Sequence, residues 1–138
     1  MTKYNLEDQV GHLMRRANQR HAAIFFEGLH SQQLTPMQFA VLVKIGDEKE
    51  VSQNRLGRLA AMDPATVQGV VRRLKERALI NARPDPDDGR RSLWRLSETG
   101  RTLVTATIPI AEQITEQTLA PLSKSERSTF LYLLRKLA

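Results

Sequence analysis

The sequence predicts a mainly α chain with a small β-hairpin. Apolar residues recur at the period of a helix in six segments along the 138 residues. Three of those segments open on sharp start signals, Thr35-Pro36-Met37-Gln38, Asp63-Pro64 and Ser123-Lys124-Ser125-Glu126. In each, a short side-chain oxygen can accept from the first free backbone N–H groups. A proline at the first helical position lacks a donor that would go unused anyway. Finally, Pro84-Asp85-Pro86-Asp87-Asp88-Gly89 cannot form a strand interior and reads as the loop of a hairpin between strands at 79–83 and 92–96.

Taken in order, residues 6–29 form a long helix with Leu6, Val10, Leu13, Met14, Ala17, Ile24, Phe25 and Gly28 on one side. Arg20 and His21 interrupt that side and Arg16 flanks it. Two readings stay open for them: Arg20 snorkelling with His21 donating to a backbone carbonyl, or an anion-accepting corner of a ligand cavity. His12, His21 and His30 repeat every nine residues, which is about 900° of helix and turns neighbours to opposite faces. Neither a metal site nor a cofactor is expected. The helix at 37–46 is apolar almost all round, through Met37, Phe39, Ala40, Val41, Leu42, Val43 and Ile45, which marks a central buried element.

A short helix at 52–61 follows, with Ser52 as its cap and Leu56, Leu59 and Ala60 apolar. Only Met62 separates it from the Asp63 cap of the next helix. There, Val67, Val70, Val71 and Leu74 recur at i, i+3, i+4 and i+7, while Ala65, Gly69 and Arg72 lie opposite with Gln68 and Arg73 beside them. Apolar stripes with basic opposite faces are common. Two helices joined by so tight a turn, the second running at once into a basic hairpin, are a winged helix-turn-helix. On the returning strand Trp94 and Leu96 share a face, and Trp94 reads as a packing residue. Ser97 caps a long helix to about residue 116, bent at Pro109, and Ser123 opens the last one, with Phe130, Leu131, Leu133, Leu134 and Leu137. The first, fifth and sixth helices carry more apolar surface than a small winged helix can bury. A homodimer built from both chain ends resolves this, with 1–34 and 98–138 as dimerisation segments around a winged helix-turn-helix at 35–97.

Composition narrows the function. The net charge is +6, and between Arg55 and Arg95 ten Lys/Arg face five Asp/Glu, so the excess sits in the winged segment. That is an electrostatic footprint for a polyanion. A membrane surface fits less well, because no long helix sets Lys/Arg against a bulky apolar face. No run is apolar enough to span a bilayer and no leader is evident, so a cytoplasmic protein is expected. With no cysteine, disulfides, Cys-based zinc sites and thiol redox sensing are excluded. No Gly-rich phosphate loop and no supported Ser/His/Asp set suggests an enzyme.

With those residues in hand, the chain resembles the MarR family of bacterial transcription regulators over nearly its whole length. The wing is the most specific match: Asp88-Gly89-Arg90, then Trp94, Leu96, Ser97 and Gly100, fit that family's D-x-R-x-x-x-hydrophobic-x-L-[ST]-x-x-G pattern. Ala65-Thr66-Val67 through Arg73-Leu74, and Arg77-Ala78-Leu79-Ile80, fit its recognition helix and exit. The resemblance implies that Arg90 enters the minor groove with Asp88 holding its guanidinium, where a narrow groove concentrates negative potential. It implies a phosphate contact for Arg91, and base-edge positions for Pro64, Ala65, Thr66, Gln68 and Gly69. Gln68 is the best reader, since its amide can pair bidentately with adenine. Arg72, Arg73, Gln53 and Asn54 would serve phosphates. Many relatives carry arginine where this chain has Gly69, so one base contact is missing here.

The implied function is a homodimeric regulator, read as a repressor, on double-stranded DNA with a pseudo-palindromic operator. The implied switch is a small anionic or aromatic effector, an aromatic acid or an acyl-CoA thioester, bound between the dimer helices and the winged domain. Arg16, Arg20 and His21, with Met37 and Phe39 in the next helix, are the candidates to hold it. The competing reading is a winged-helix protein-interaction or anti-repressor module that does not bind DNA.

Overall fold

The computed structural model describes residues 3–138. Six α-helices and a small sheet run in the order α1 (Val10–Leu29), α2 (Pro36–Glu48), β1 (Val51–Ser52), α3 (Gln53–Leu59), α4 (Pro64–Glu76), β2 (Ile80–Pro84), β3 (Ser92–Leu96), α5 (Glu98–Leu119) and α6 (Lys124–Leu137). The chain divides into two compact units, one from residues up to Gly28 together with Ile110–Ala138, the other Leu29–Pro109.

The second unit is the winged helix-turn-helix. Its core joins Val41, Leu42 and Ile45 of α2, Leu56 of α3, Val67, Val71 and Leu74 of α4, and Ile80 and Trp94 of the sheet. Helices and sheet cover α2 through Val41, Leu42 and Ile45, but the helix is not buried all round as expected: Met37 in its first turn stays 51% exposed. Trp94 packs into this core. The capping box at Thr35 forms as the sequence requires: Gln38 N–H donates to Thr35 Oγ1 and Thr35 N–H to Gln38 Oε1.

Two expectations need correction. The first helix does not begin at Leu6. Leu6–Asp8 is a single 3-10 turn, Gln9 is extended, and the α-helix starts at Val10. Asn5 explains the break, because its amide bonds Asp8 Oδ2 and its carbonyl accepts from the Gln9 side chain, a local network that competes with continuing the helix. The hairpin, in turn, is part of a three-stranded antiparallel sheet in the order β1-β3-β2. Val51 pairs with Trp94, and Ser52 with Leu93, forming a strand ahead of α3 that the sequence reading did not include. Smaller shifts bring Pro84 into β2 and carry α5 on to Leu119.

Both helix exits around the turn share one device. Met62 N–H reaches Gly57 O at 2.8 Å and Ala61 N–H reaches Arg58 O, closing α3 around a left-handed Ala61. Leu79 N–H likewise reaches Leu74 O at 3.0 Å and Ala78 N–H reaches Lys75 O, closing α4 around a left-handed Ala78. These are Schellman closures with alanine where glycine is the usual occupant.

In the first unit, α1 meets α5 where Gly28 leaves no room for more than hydrogen: a Cβ there would lie 2.8 Å from Ile114 Cδ1. Much apolar surface stays uncovered in the chain alone, including Val10 (64% exposed) and Leu13 near the N-terminus, and Phe130, Leu133 and Leu137 (70%) on α6.

Candidate nucleic-acid interface

Helix α4 is built to present one face. Asp63 Oδ1 accepts the Thr66 N–H at 2.8 Å and Oδ2 accepts the Thr66 hydroxyl at 2.9 Å. The Thr66 N–H, first of all, holds the Asp63 carboxyl below the usual aspartate range. Val67, Val71 and Leu74 are buried and Val70 half-buried, so Ala65, Gln68, Arg72 and Arg73 project outward with Pro64 at the leading end. Gly69 is half-buried, and a Cβ built on it would touch nothing within 4 Å. Packing within the chain therefore does not require glycine there. At the far end, the Arg77 guanidinium donates to Gln33 O at 2.8 Å and Gln32 O at 3.1 Å, tying the end of α4 to the connector before α2.

The wing is organised by an acid the sequence reading did not single out. Asp85 is buried, its Oδ1 accepts the Asp87 N–H at 2.9 Å, and its Oδ2 lies 3.1 Å from Arg91 Nη2. Its own backbone also closes the loop, with Asp85 N–H donating to Arg91 O and Asp88 N–H to Asp85 O. The Asp87 N–H, followed by Arg91, depresses the Asp85 carboxyl. Arg91 thus spends part of its guanidinium inside the loop. Asp88 Oδ1 accepts both the Arg90 N–H at 3.1 Å and Arg90 Nε at 3.2 Å, while the rest of the Arg90 side chain stands in solvent, 92% exposed. Such an arginine is held at its root and free at its tip.

At the wing base, Gln53 and Asn54 from the start of α3 line a cavity of about 290 Å³ with Ser52, Arg91, Ser92 and Trp94. Gln53, Asn54 and Arg91 are thereby brought together. Beside the sheet, Glu50 receives Arg83 Nε at 2.7 Å and Arg83 Nη2 on its other oxygen, with Arg95 4.0 Å away. Arg83 lowers the Glu50 pKa, and Glu50 raises that of Arg83. Neither Asp85 nor Glu50 stands out by spacing. Only a side chain short enough to bond its own loop, between two prolines, hints at Asp85.

The exit of α4 is welded to the start of α5. Ser97 Oγ donates to Ala78 O at 2.7 Å and accepts the Gly100 N–H at 3.0 Å, while Ser97 N–H donates to Leu79 O at 3.0 Å. A Cβ on Gly100 would overlap the Leu79 carbonyl. That contact is why a Ser and a Gly stand three apart after the hairpin.

The candidate effector residues fall in different units. Arg20 donates to Thr118 O at 2.7 Å and Gln117 O at 2.9 Å, satisfying carbonyls at the end of α5. His21 Nδ1 lies 2.8 Å from Thr118 Oγ1, and that hydroxyl already donates to Ile114 O. With its one proton spent, the hydroxyl accepts and His21 Nδ1 is the donor. The partner is thus a hydroxyl rather than a backbone carbonyl. Arg16 is exposed. Met37 and Phe39 belong to the winged unit, Met37 exposed and Phe39 packed against its core. Among the described residues no helix is long and apolar enough to cross a membrane.

The fold and this face define a winged-helix protein with a basic helix and wing. A family model described as MarR family matches residues 32–91. The HTH-type transcriptional repressor NicR of Pseudomonas putida is 45% identical over 136 residues, covering 99% of this chain and 86% of that protein. A probable transcriptional regulator from Pseudomonas aeruginosa superposes with a TM-score of 0.95 at 49% identity, covering 97% of this chain and 100% of that one. Bordetella bronchiseptica BpsR, whose DNA binding is regulated by 6-hydroxynicotinic acid, superposes with a TM-score of 0.94 at 44% identity, covering 99% and 97%. The chain belongs to the MarR family of transcription regulators.

Proposed function

We propose that the protein is a cytoplasmic homodimeric repressor that binds a pseudo-palindromic operator and is released by a small anionic aromatic effector. The observation that carries the DNA reading is the pairing of an outward-facing Ala65, Gln68, Arg72 and Arg73 on α4 with a rooted, solvent-tipped Arg90 on the wing. In this reading α4 enters the major groove, Gln68 reads an adenine edge, and Pro64, Ala65, Thr66 and Gly69 lie against the bases. Arg72, Arg73, Gln53, Asn54 and Arg91 hold phosphates, and Arg90 enters the minor groove from its Asp88 anchor. The winged helix-turn-helix at 35–97 does this work, and segments 1–34 and 98–138 join two copies. The uncovered Val10, Leu13, Phe130, Leu133 and Leu137 support that interface. Two-fold symmetry then sets half-sites about 34 Å apart.

Release by a small acid is favoured by BpsR, which responds to 6-hydroxynicotinic acid. Arg16, Arg20 and His21 with Met37 and Phe39 remain the proposed receptor. Because Arg20 and His21 already hold residues 117–118, a ligand there would have to exchange with the end of α5.

The test is Arg90→Ala in operator binding across a salt series. Each phosphate-neutralising side chain contributes about −0.9 to the slope of log K against log salt. The variant should bind at least ten-fold more weakly with a shallower slope. Equal affinity and slope would remove the wing from the interface, and a wild-type chain indifferent to DNA at low salt would leave the protein-interaction reading.

A further inference from the structure

We infer that the winged unit carries a second anion site, formed by Lys49, Arg95 and Arg101 over an apolar floor of Gly46 and Leu96, which takes a small carboxylate with an apolar body. These residues, with Ile45 and Glu50, line a cavity of about 450 Å³, within the range of small-molecule sites. It is built wholly within one compact unit, from the end of α2, the strand β3 and the first turn of α5.

Charge is the first argument. Three cations and one carboxylate line the cavity, and that carboxylate, Glu50, is already held by both arms of Arg83. Arg95 is ion-paired with Glu50 at 4.0 Å, so Lys49 and Arg101 are the cations left for an anion. Among the described residues, neither Lys49 nor Arg101 has an acidic partner within 4.0 Å. Two cations without an acidic partner on the rim of one concavity, Lys49 and Arg101, attract an anion from solution.

Backbone strain is the second. Lys49 has φ 65° and ψ −52°, and Glu50 N–H donates to Glu48 O at 2.7 Å. This is a γ-turn of the rarer hand, strained for any residue with a Cβ. It turns Glu50 towards Arg83 and leaves Lys49 on the rim. The floor is the third. Gly46 lies against Leu96 Cδ1, which a Cβ there would approach to 3.1 Å, so the floor is apolar and fits no further side chain without adjustment. Inorganic phosphate would meet the rim but gain nothing from that floor. An acid with a flat apolar body meets both.

The experiment titrates the full-length protein, without DNA, with benzoate, neutral benzamide and inorganic phosphate, read by amide chemical shifts. Saturable benzoate shifts should centre on Gly46, Lys49 and Leu96. The double variant Lys49→Ala/Arg101→Ala should weaken benzoate at least ten-fold, with benzamide and phosphate each at least ten-fold weaker on the wild type. Benzoate shifts at these residues should persist in Arg20→Ala, and operator affinity of the double variant should match wild type without ligand. Shifts confined to residues around Arg20 and His21, equal binding of phosphate, or an unchanged double variant would overturn the assignment. So would a loss of operator affinity with a shallower salt slope, which would make these cations DNA contacts. Because binding is read without DNA, failure of the operator reading and failure of this one are separate results.

Discussion

Replacing Gly69 with alanine should make the protein more stable and a worse binder of its operator. Glycine inside a helix costs about 1 kcal/mol relative to alanine, because it loses more backbone freedom on folding. Here the gain comes without a steric charge against it, since a Cβ at Gly69 meets nothing within 4 Å. For a chain of 138 residues, about 1 kcal/mol corresponds to a rise of roughly 3–5 °C in Tm. Circular dichroism melts at one fixed protein concentration would measure it, because self-association makes Tm depend on concentration. Gly69 lies among Ala65, Gln68 and Arg72 on the outward part of α4. If the helix backbone lies against bases there, the new methyl occupies space the DNA needs. Operator affinity should then fall at least ten-fold, about 1.4 kcal/mol, in an anisotropy titration. An unchanged or lower Tm would refute the propensity reasoning, and unchanged affinity would refute the close approach.

Three further outcomes follow from the fold. Gly100→Ala drives a methyl into the Leu79 carbonyl and should cost about 3 kcal/mol or more in urea unfolding; a loss under 1 kcal/mol would mean the α4–α5 junction yields easily. Ala78→Gly removes a Cβ from a residue at φ 58° and should stabilise by up to about 1 kcal/mol, with a drop in urea midpoint as the contrary result. Asp85→Asn should destabilise at neutral pH, because it discards a carboxylate held by the Asp87 N–H and Arg91. A carboxyl depressed in the folded state stabilises above its unfolded pKa, and that contribution is lost as pH falls through the folded value. The gap between variant and wild type should therefore close on acidification below about pH 4; a gap that persists there would assign Asp85 a role independent of charge.

Much of this architecture is written locally. The caps at Thr35, Asp63 and Ser123 are side chains bonding the backbone three residues on, so sequence alone locates them. The valine stripe of α4 and the packing of Trp94 follow from period. What stayed hidden is non-local or too short to have a period. Strand β1 has two residues and exists because Trp94 and Leu93 supply partners some forty positions away. The break at Gln9 depends on Asn5, whose side chain outcompetes an otherwise regular apolar repeat. Around the candidate interface, the Asp88–Arg90 pair is legible only through the resemblance to the family's D-x-R pattern. The resemblance gives Arg91 a phosphate contact, but nothing in its spacing discloses the buried Asp85 that takes part of its guanidinium. Arg20 and His21 looked unusual on an apolar face, and only the return of α5 supplies the carbonyls and hydroxyl they meet.

The trailing end of α4 is gripped from two directions, by Arg77 on the carbonyls of residues 32–33 and by Ser97 on the carbonyl of Ala78. A rod clamped this way has little freedom to tilt alone. Its pitch is inherited from whatever moves the segment ahead of α2 or the opening turn of α5. If α4 reads the operator as proposed, a change of operator would need only new side chains along the rod, while a change in how a signal reaches it would have to pass through the two clamps.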